Sequence, residues 1–344
     1  MAAMQRLIPL EGREQWTAAL DGIPHAFGHT WESCHAMALT TGLPTYLYVW
    51  EHGSGRAVCP LSERTFAGAT DVFTPYGFSG FVRTGDTTGL PADWAEYAAG
   101  RGYVCGYIGM NPLLGDLDGF CGEDVYEHNE LYVLDLTRTQ ASLFESLSRN
   151  RRRQVKTSEQ QAGWLIADTR RNAGFMLKHH RASLERKGTA GTYRFSDATL
   201  RCILELPNTL LIGAGDGDAV ESAWLFTYTR WAAESFMSVA LPGAEHHAAA
   251  LTWHGMLELR RRGIPILNLG GGVHRDDGIA RFKQRFGPSA VSLCALKQVY
   301  RPGEYERLCR AAGMDPDDRS GFFPPYWRSP GRQVMDGEPS SPYA

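Results

Sequence analysis

Lys283 and three successive glycines, Gly270, Gly271 and Gly272, are the residues best placed to do chemistry, in the stretch LNLGGGVHRDDGIARFKQRFGP (267–288). Ile264, Ile266, Leu267 and Leu269 form a short β-branched run that predicts a buried strand. The glycines that end it leave the main chain bare, so that a ligand can approach the backbone closely. Asp276 or Asp277 then caps a helix that Gly287 and Pro288 stop. On this helix Ile279, Phe282 and Phe286 share one face, and Lys283 lies in the middle of it. Two readings of that lysine follow from the residues: its ammonium snorkels to water, or it stands at the mouth of a glycine-lined cleft, aimed at an oxyanion or a phosphate.

Further cations are grouped elsewhere. In SRNRRRQVK (148–156), Arg149, Arg152, Arg153 and Lys156 share one side of a helix, either as a solvated face or as a ridge for phosphates. Arg281 and Arg285 lie one turn apart beside Lys283 and carry the same two readings. Tyr76, within FTPYGFSGFV, either packs in a hairpin loop or forms a wall of a substrate pocket; Tyr193 and Tyr228 are packing residues or cleft residues. Metal chemistry is not expected. The seven cysteines have no CxxC spacing, and the pairs His179-His180 and His246-His247 point to different sides of their elements. Walker, dinucleotide and nucleophile-elbow motifs are absent from the sequence.

The elements that must position these groups can be read in order. WESCHAMALTT (31–41) is a helix closed by Gly42, and a strand, a Gly-rich turn and a second strand follow. A helix at 91–101, a strand at 103–110 and a strand at 130–136 complete a first unit. Thr139 caps a helix running from 140 to about 161, which carries the basic run; a helix at 172–188, three strands between 209 and 240, and a helix at 245–262 lead to the glycine-ended strand. A chain of 344 residues is long enough for about two domains, and its 43% apolar content is that of an ordinary globular protein. A net charge of −3 argues against a general nucleic-acid coat and no DNA partner is expected. With no apolar leader or spanning run, a cytoplasmic protein that does not insert in membranes is expected, as a monomer or homodimer.

The strand ending in glycines, the acidic turn and GI-x-RFK-x-x-FG together resemble the C-terminal signature of the FemABX-like aminoacyltransferases of the GNAT superfamily. The LS-x-N-x-R-R-like segment at 147–153 and the YG-x-x-G segment at 76–80 extend the resemblance, which covers most of residues 25–300. It implies an α/β (α+β) fold of two tandem GNAT-like domains, each a twisted mixed sheet flanked by helices. The expected boundaries are 1–138, 139–300 carrying the GGG…RFK motif, and an extended tail, 301–344, packing back on the surface. It further implies transfer of an amino acid from aminoacyl-tRNA to an amine of a peptidoglycan or natural-product precursor, as in antibiotic biosynthesis, with no cofactor. Under it Lys283, with Phe282 beside it, stabilises the oxyanion or holds the tRNA end. Arg186 in ERKG and Tyr76 bind the acceptor, and Gly271 and Gly272 line the cleft. The alternative is an acyl-CoA-dependent N-acyltransferase. Against it, LPGAEHHAAAL stands where acetyl-CoA enzymes carry a glycine-rich pyrophosphate loop.

Overall fold

The computed structural model describes residues 3–161, 163–186, 194–216, 219–272 and 275–328. The chain divides into two compact units, Met1–His128 with Ser292–Ala344, and Asn129–Val291.

The first unit contains β1 (Met4–Pro9), α1 (Arg13–Leu20), α2 (Trp31–Thr41), β2 (Thr45–His52), β3 (Gly55–Phe66), β4 (Ala69–Phe73), β5 (Val82–Thr84), α3 (Leu90–Gly100) and β6 (Tyr103–Gly109). The chain then enters β7 (Val125–Asp135). Helix α2 has the expected limits because both ends are chemically marked. The Thr30 hydroxyl accepts from the Ser33 N–H, and Gly42 takes the left-handed conformation that stops the helix. Strands β1 to β4 form an antiparallel meander, while β4 and β6 run parallel, so this sheet is mixed. Its core is aromatic, with Tyr48, Trp50, Phe81, Trp94 and Tyr103 fully or almost fully buried. Such rings bury large apolar areas, which is how a sheet with short strands acquires a core.

The second unit contains α4 (Gln140–Ser146), α5 (Arg149–Glu159), β8 (Leu165–Ile166), α6 (Thr169–Arg186), α7 (Asp197–Leu204), β9 (Thr209–Asp216), β10 (Ala219–Tyr228), β11 (Ala233–Ala240), α8 (Ala248–Arg261), β12 (Ile266–Asn268) and α9 (Gly278–Gln284). Its sheet order is β7-β12-β11-β10-β9-β8, antiparallel except for the β11–β12 pair. Helices cover both faces. A Cβ on Gly213 of β9 would meet Asn172 of α6, whereas one on Gly255 of α8 would meet the ring of Phe226. Gly213 pairs with Ala223, three residues from Phe226 and thus on the opposite face, so α6 and α8 sandwich the sheet. Between the sheet and α8, Trp224 and Phe226 of β10, Leu267 of β12 and Trp253, Met256 and Leu259 of α8 belong to one buried apolar cluster.

The chain returns to the first unit through β13 (Ser289–Val299), whose residues 295–299 pair antiparallel with β6, and α10 (Pro302–Ala311). Each unit is therefore a mixed sheet flanked by helices, the α/β class expected. Three details differ from the sequence reading. The units divide at 128/129 and 291/292 rather than at 138/139 and 300/301, because the division by packing falls inside the long strands β7 and β13, not at the polar junctions that follow them. The helix expected from 140 to 161 is two helices: Leu147 is extended, and the Ser148 hydroxyl restarts the chain as α5 by accepting from the Arg151 N–H. The tail begins as a helix, and Tyr305, Leu308, Cys309, Phe323 and Tyr326 are buried against Val104 and Cys105 of β6.

Candidate functional site

The second unit's sheet parts at one place. Strands β11 and β12 share two register pairs, Ala233↔Leu267 and Glu234↔Asn268. Beyond them β11 continues to Ala240 along β10, while the chain after Asn268 stays with β7, through Leu269 N–H to Tyr132 O (2.8 Å) and Tyr132 N–H to Gly270 O (3.2 Å). A gap thus opens with Glu234 and Asn268 as its floor. The glycines form its β12 side, and at two of them only glycine fits. Gly270 has φ +76°, and its N–H donates to the Asn268 carboxamide (2.7 Å). A Cβ on Gly271 would lie 2.4 Å from Glu130 O. Asn129 completes the turn by donating to Gly272 O at 2.9 Å.

Helix α9 delivers the lysine. Asp277 is its cap, its carboxylate accepting from the Ala280 N–H at 2.7 Å. The helix is only two turns long, so its buried side is set by Ala280 and Phe286 and not by Ile279, which is 37% exposed. The expected apolar face is corrected at that position. Phe282 packs on Trp224 (ring centroids 6.0 Å, 17° apart) and on Phe286 (5.3 Å). Lys283 then points its ammonium at the glycine turn and donates to Gly271 O at 2.5 Å; a Cβ on Gly270 would lie 3.0 Å from Nζ. Burial pulls the Lys283 pKa down to about 7, with Asp277 opposing the shift. A lysine held there gives up its proton near neutral pH, and negative charge arriving beside it favours the protonated form.

Arg151, like Glu234 and Asn268 at the floor of the gap, is a residue of this site that sequence reasoning missed. Its guanidinium lies 4.2 Å from the centroid of Phe282 and 5.2 Å from that of Phe286, and Nη2 reaches Phe282 O at 3.4 Å. It is 5% exposed, and burial, followed by the nearby Arg285 charge, lowers its pKa to about 10. A signal existed, since Arg151 is one turn after Leu147 and one before Val155, on the apolar side of α5. The remaining cations of that helix behave as a surface. Arg149, Arg153 and Lys156 are exposed, and Arg152 is half-buried with Nη1 on Glu145 O (2.9 Å). Arg281 and Arg285 are exposed on and just after α9, and Arg285 O accepts from the Ser148 N–H at 2.9 Å, which joins α9 to the start of α5.

The other expected site residues are not brought to this turn. Tyr228 pairs with Ala233, at the strand end opposite to the one the glycines leave, and its hydroxyl meets Arg262 (2.6 Å) and Pro207 O (3.2 Å). Arg186 ends α6 and donates to Ala240 O (2.6 Å), at the far end of β11. Tyr76 is half-buried in the first unit, between β4 and β5. Tyr193 lies outside the described residues. Among the described residues no group of three or more His, Cys, Asp or Glu is arranged to hold a metal ion, and no helix is long and apolar enough to cross a membrane.

No family model and no curated protein matches the chain. Solved structures do. FemX is similar over 89% of this chain and 99% of its own, with a TM-score of 0.67 at 11% identity. The C-terminal domain of a putative lysylphosphatidylglycerol synthetase from Agrobacterium fabrum covers 87% and 96% (TM-score 0.53, 13% identity). The L-PGS of Bacillus licheniformis covers 82% and 91% (TM-score 0.51, 12% identity). These likenesses concern the fold, and they bear out the resemblance read from the GGG…RFK stretch: this chain has a FemX-like fold.

Proposed function

We propose that the protein is an aminoacyltransferase that moves an amino acid from aminoacyl-tRNA to an amine, forming an amide. The observation that carries this reading is Lys283 enclosed at the glycine turn, with its ammonium on Gly271 O, in a chain of FemX-like fold. An amine attacking an ester builds negative charge on the carbonyl oxygen, and a cation fixed in a poorly hydrated site stabilises that charge. Phe282 and Arg151 fix the lysine's helix; the departing ribose oxygen takes up a proton as the tetrahedral intermediate collapses. The exposed cations Arg149, Arg153, Lys156, Arg281 and Arg285 supply positive potential for the tRNA backbone. Arg186, on Ala240 O at the end of β11, keeps a proposed part in acceptor binding.

The loop before α8 favours tRNA over a CoA thioester. In the LPGAEHHAAAL segment that replaces a glycine-rich pyrophosphate loop, the Gly243 N–H donates to the Glu245 carboxylate at 2.9 Å. That places a negative charge where an anion would bind. The acceptor is proposed to be an amine of a natural-product or peptidoglycan precursor.

Purified protein incubated with radiolabelled aminoacyl-tRNAs and a pool of amine acceptors is expected to transfer label in an RNase-sensitive manner. Transfer from acetyl-CoA that resists RNase would overturn the donor assignment.

A further inference from the structure

A row of polar side chains crosses the second unit's sheet at the floor of the gap. Thr209, Thr227, Glu234 and Asn268 are neighbours in register across β9, β10, β11 and β12, and so share one face. It is the α6 face, because Thr227 has the parity of Ala223 and not of Phe226; Lys283 approaches from the α8 face, where Phe282 stacks on Trp224. Thr209 Oγ1 donates to Leu206 O (2.8 Å), and the Asn268 carboxamide oxygen receives the Gly270 N–H (2.7 Å). The two middle members differ. Thr227 is 0% exposed and Glu234 5%, and among the described residues neither Thr227 Oγ1 nor Glu234 Oε1 has a hydrogen-bond partner. Among the described residues no basic side chain pairs with Glu234, and burial raises its pKa to about 8. Buried polar groups are nearly always paired, and those that are not commonly await a ligand.

We propose that Glu234, with Thr227 beside it, seats a primary ammonium group of a substrate at the floor of the β11–β12 gap. The inference rests on the aminoacyl-transfer reading, in which both substrates carry an amine: the α-amino group of the donor and the attacking amine of the acceptor. The carboxylate and the threonine hydroxyl both accept hydrogen bonds from an ammonium, and the pair satisfies the two orphaned atoms at once. A neutral amine that enters takes the proton Glu234 carries, giving an ammonium–carboxylate pair with no net exchange of protons with solvent. Gly270 joins the two sides of the site, since its N–H binds Asn268 next to Glu234 and its Cα faces Lys283. An amine on Glu234 and an oxyanion on Lys283 would thus flank one short stretch of backbone.

The test uses the full chain, labelled with ¹³C at glutamate carboxyls, the Glu234 resonance being assigned by its loss in Glu234→Gln. Two probes are compared: 3′-deoxy-3′-(alanylamino)adenosine, which carries the donor's α-amine, and its propionylamino counterpart, which lacks it. If the donor's amine is seated, the alanyl probe ionises Glu234, the propionyl probe does not, and Glu234→Gln weakens binding of the alanyl probe alone by ~10-fold or more, as for loss of a charge-assisted hydrogen bond. If the acceptor's amine is seated, neither probe changes the resonance, and Glu234→Gln raises the acceptor KM by ~10-fold or more with the donor KM unchanged. Thr227→Val is expected to move the same constant in the same direction, which guards against a folding defect of one variant. An unresponsive resonance together with unchanged KM values overturns the seat. Absence of RNase-sensitive transfer in the wild-type protein overturns the transfer reading instead; in that case ionisation by the alanyl probe supports the seat and its absence overturns it.

Discussion

Lys283, half-buried with its ammonium held on the glycine turn, and Glu234, buried, are ionisable groups whose environments push them in ways that can be measured. Burial lowers the Lys283 pKa to about 7 from an ordinary 10.5. Between these values the unfolded chain binds the extra proton, so stability rises with pH from about 7 to 10.5, and Lys283→Met is expected to remove that rise and to be the more stable protein at pH 7. Chemical denaturation across that range checks it; an unchanged slope would contradict the burial. For catalysis the sign is reversed. The free enzyme needs the protonated lysine, so kcat/KM is expected to fall as pH rises through about 7, and Lys283→Arg, which stays charged, is expected to lose that limb. Glu234 has the opposite profile, since burial raises its pKa to about 8 from 4.5. There the folded state holds the extra proton, stability falls as pH rises from 4.5 to 8, and Glu234→Gln is expected to be the more stable protein at pH 8.

The glycine turn and the helices that meet it explain how these groups are placed. Gly271→Ala would bring a Cβ within 2.4 Å of Glu130 O, so the turn must move and take with it the carbonyl that Lys283 holds. A drop in kcat of ~10-fold or more with modest loss of melting temperature is expected, by analogy with small misplacements of catalytic groups; wild-type kcat would show that the turn does not position the lysine. Much of this arrangement was legible in the sequence. The strand, the three glycines, the Asp277 cap and the Gly287 stop are each marked by residues whose backbone chemistry is local. What was not legible depends on tertiary partners. The break between α4 and α5 at Leu147 leaves the helical pattern nearly intact, and α9 is too short for its periodicity to fix which side is buried. A glutamate in a strand ordinarily faces water, and Glu234 is buried only because β11 lies inside a sheet covered on both faces. Arg151 was hidden by its neighbours, one arginine of three in NRRR, distinguished only by its phase with Leu147 and Val155.

The fold is completed by a chain that leaves the first unit and returns to it. In that unit Asp71 is the anchor of the returning segment: it receives Arg64, the Tyr326 hydroxyl (2.9 Å) and Trp327 Nε1 (2.8 Å), while Arg64 also donates to Phe323 O (3.0 Å). Removing one partner of a buried ion pair strands the other, so Asp71→Ala is expected to destabilise the unit by about 3–5 kcal/mol. Limited proteolysis should then release the C-terminal segment early; wild-type resistance would contradict the anchor. In the second unit a single half-buried lysine is proposed to stabilise charge during transfer from aminoacyl-tRNA. The most direct test of that role is the single-turnover rate of RNase-sensitive label transfer by wild-type protein and by Lys283→Ala, each shown to be folded. A fall of ~10²-fold or more is expected for loss of one oxyanion stabiliser, and a rate near wild type would contradict the role assigned to Lys283.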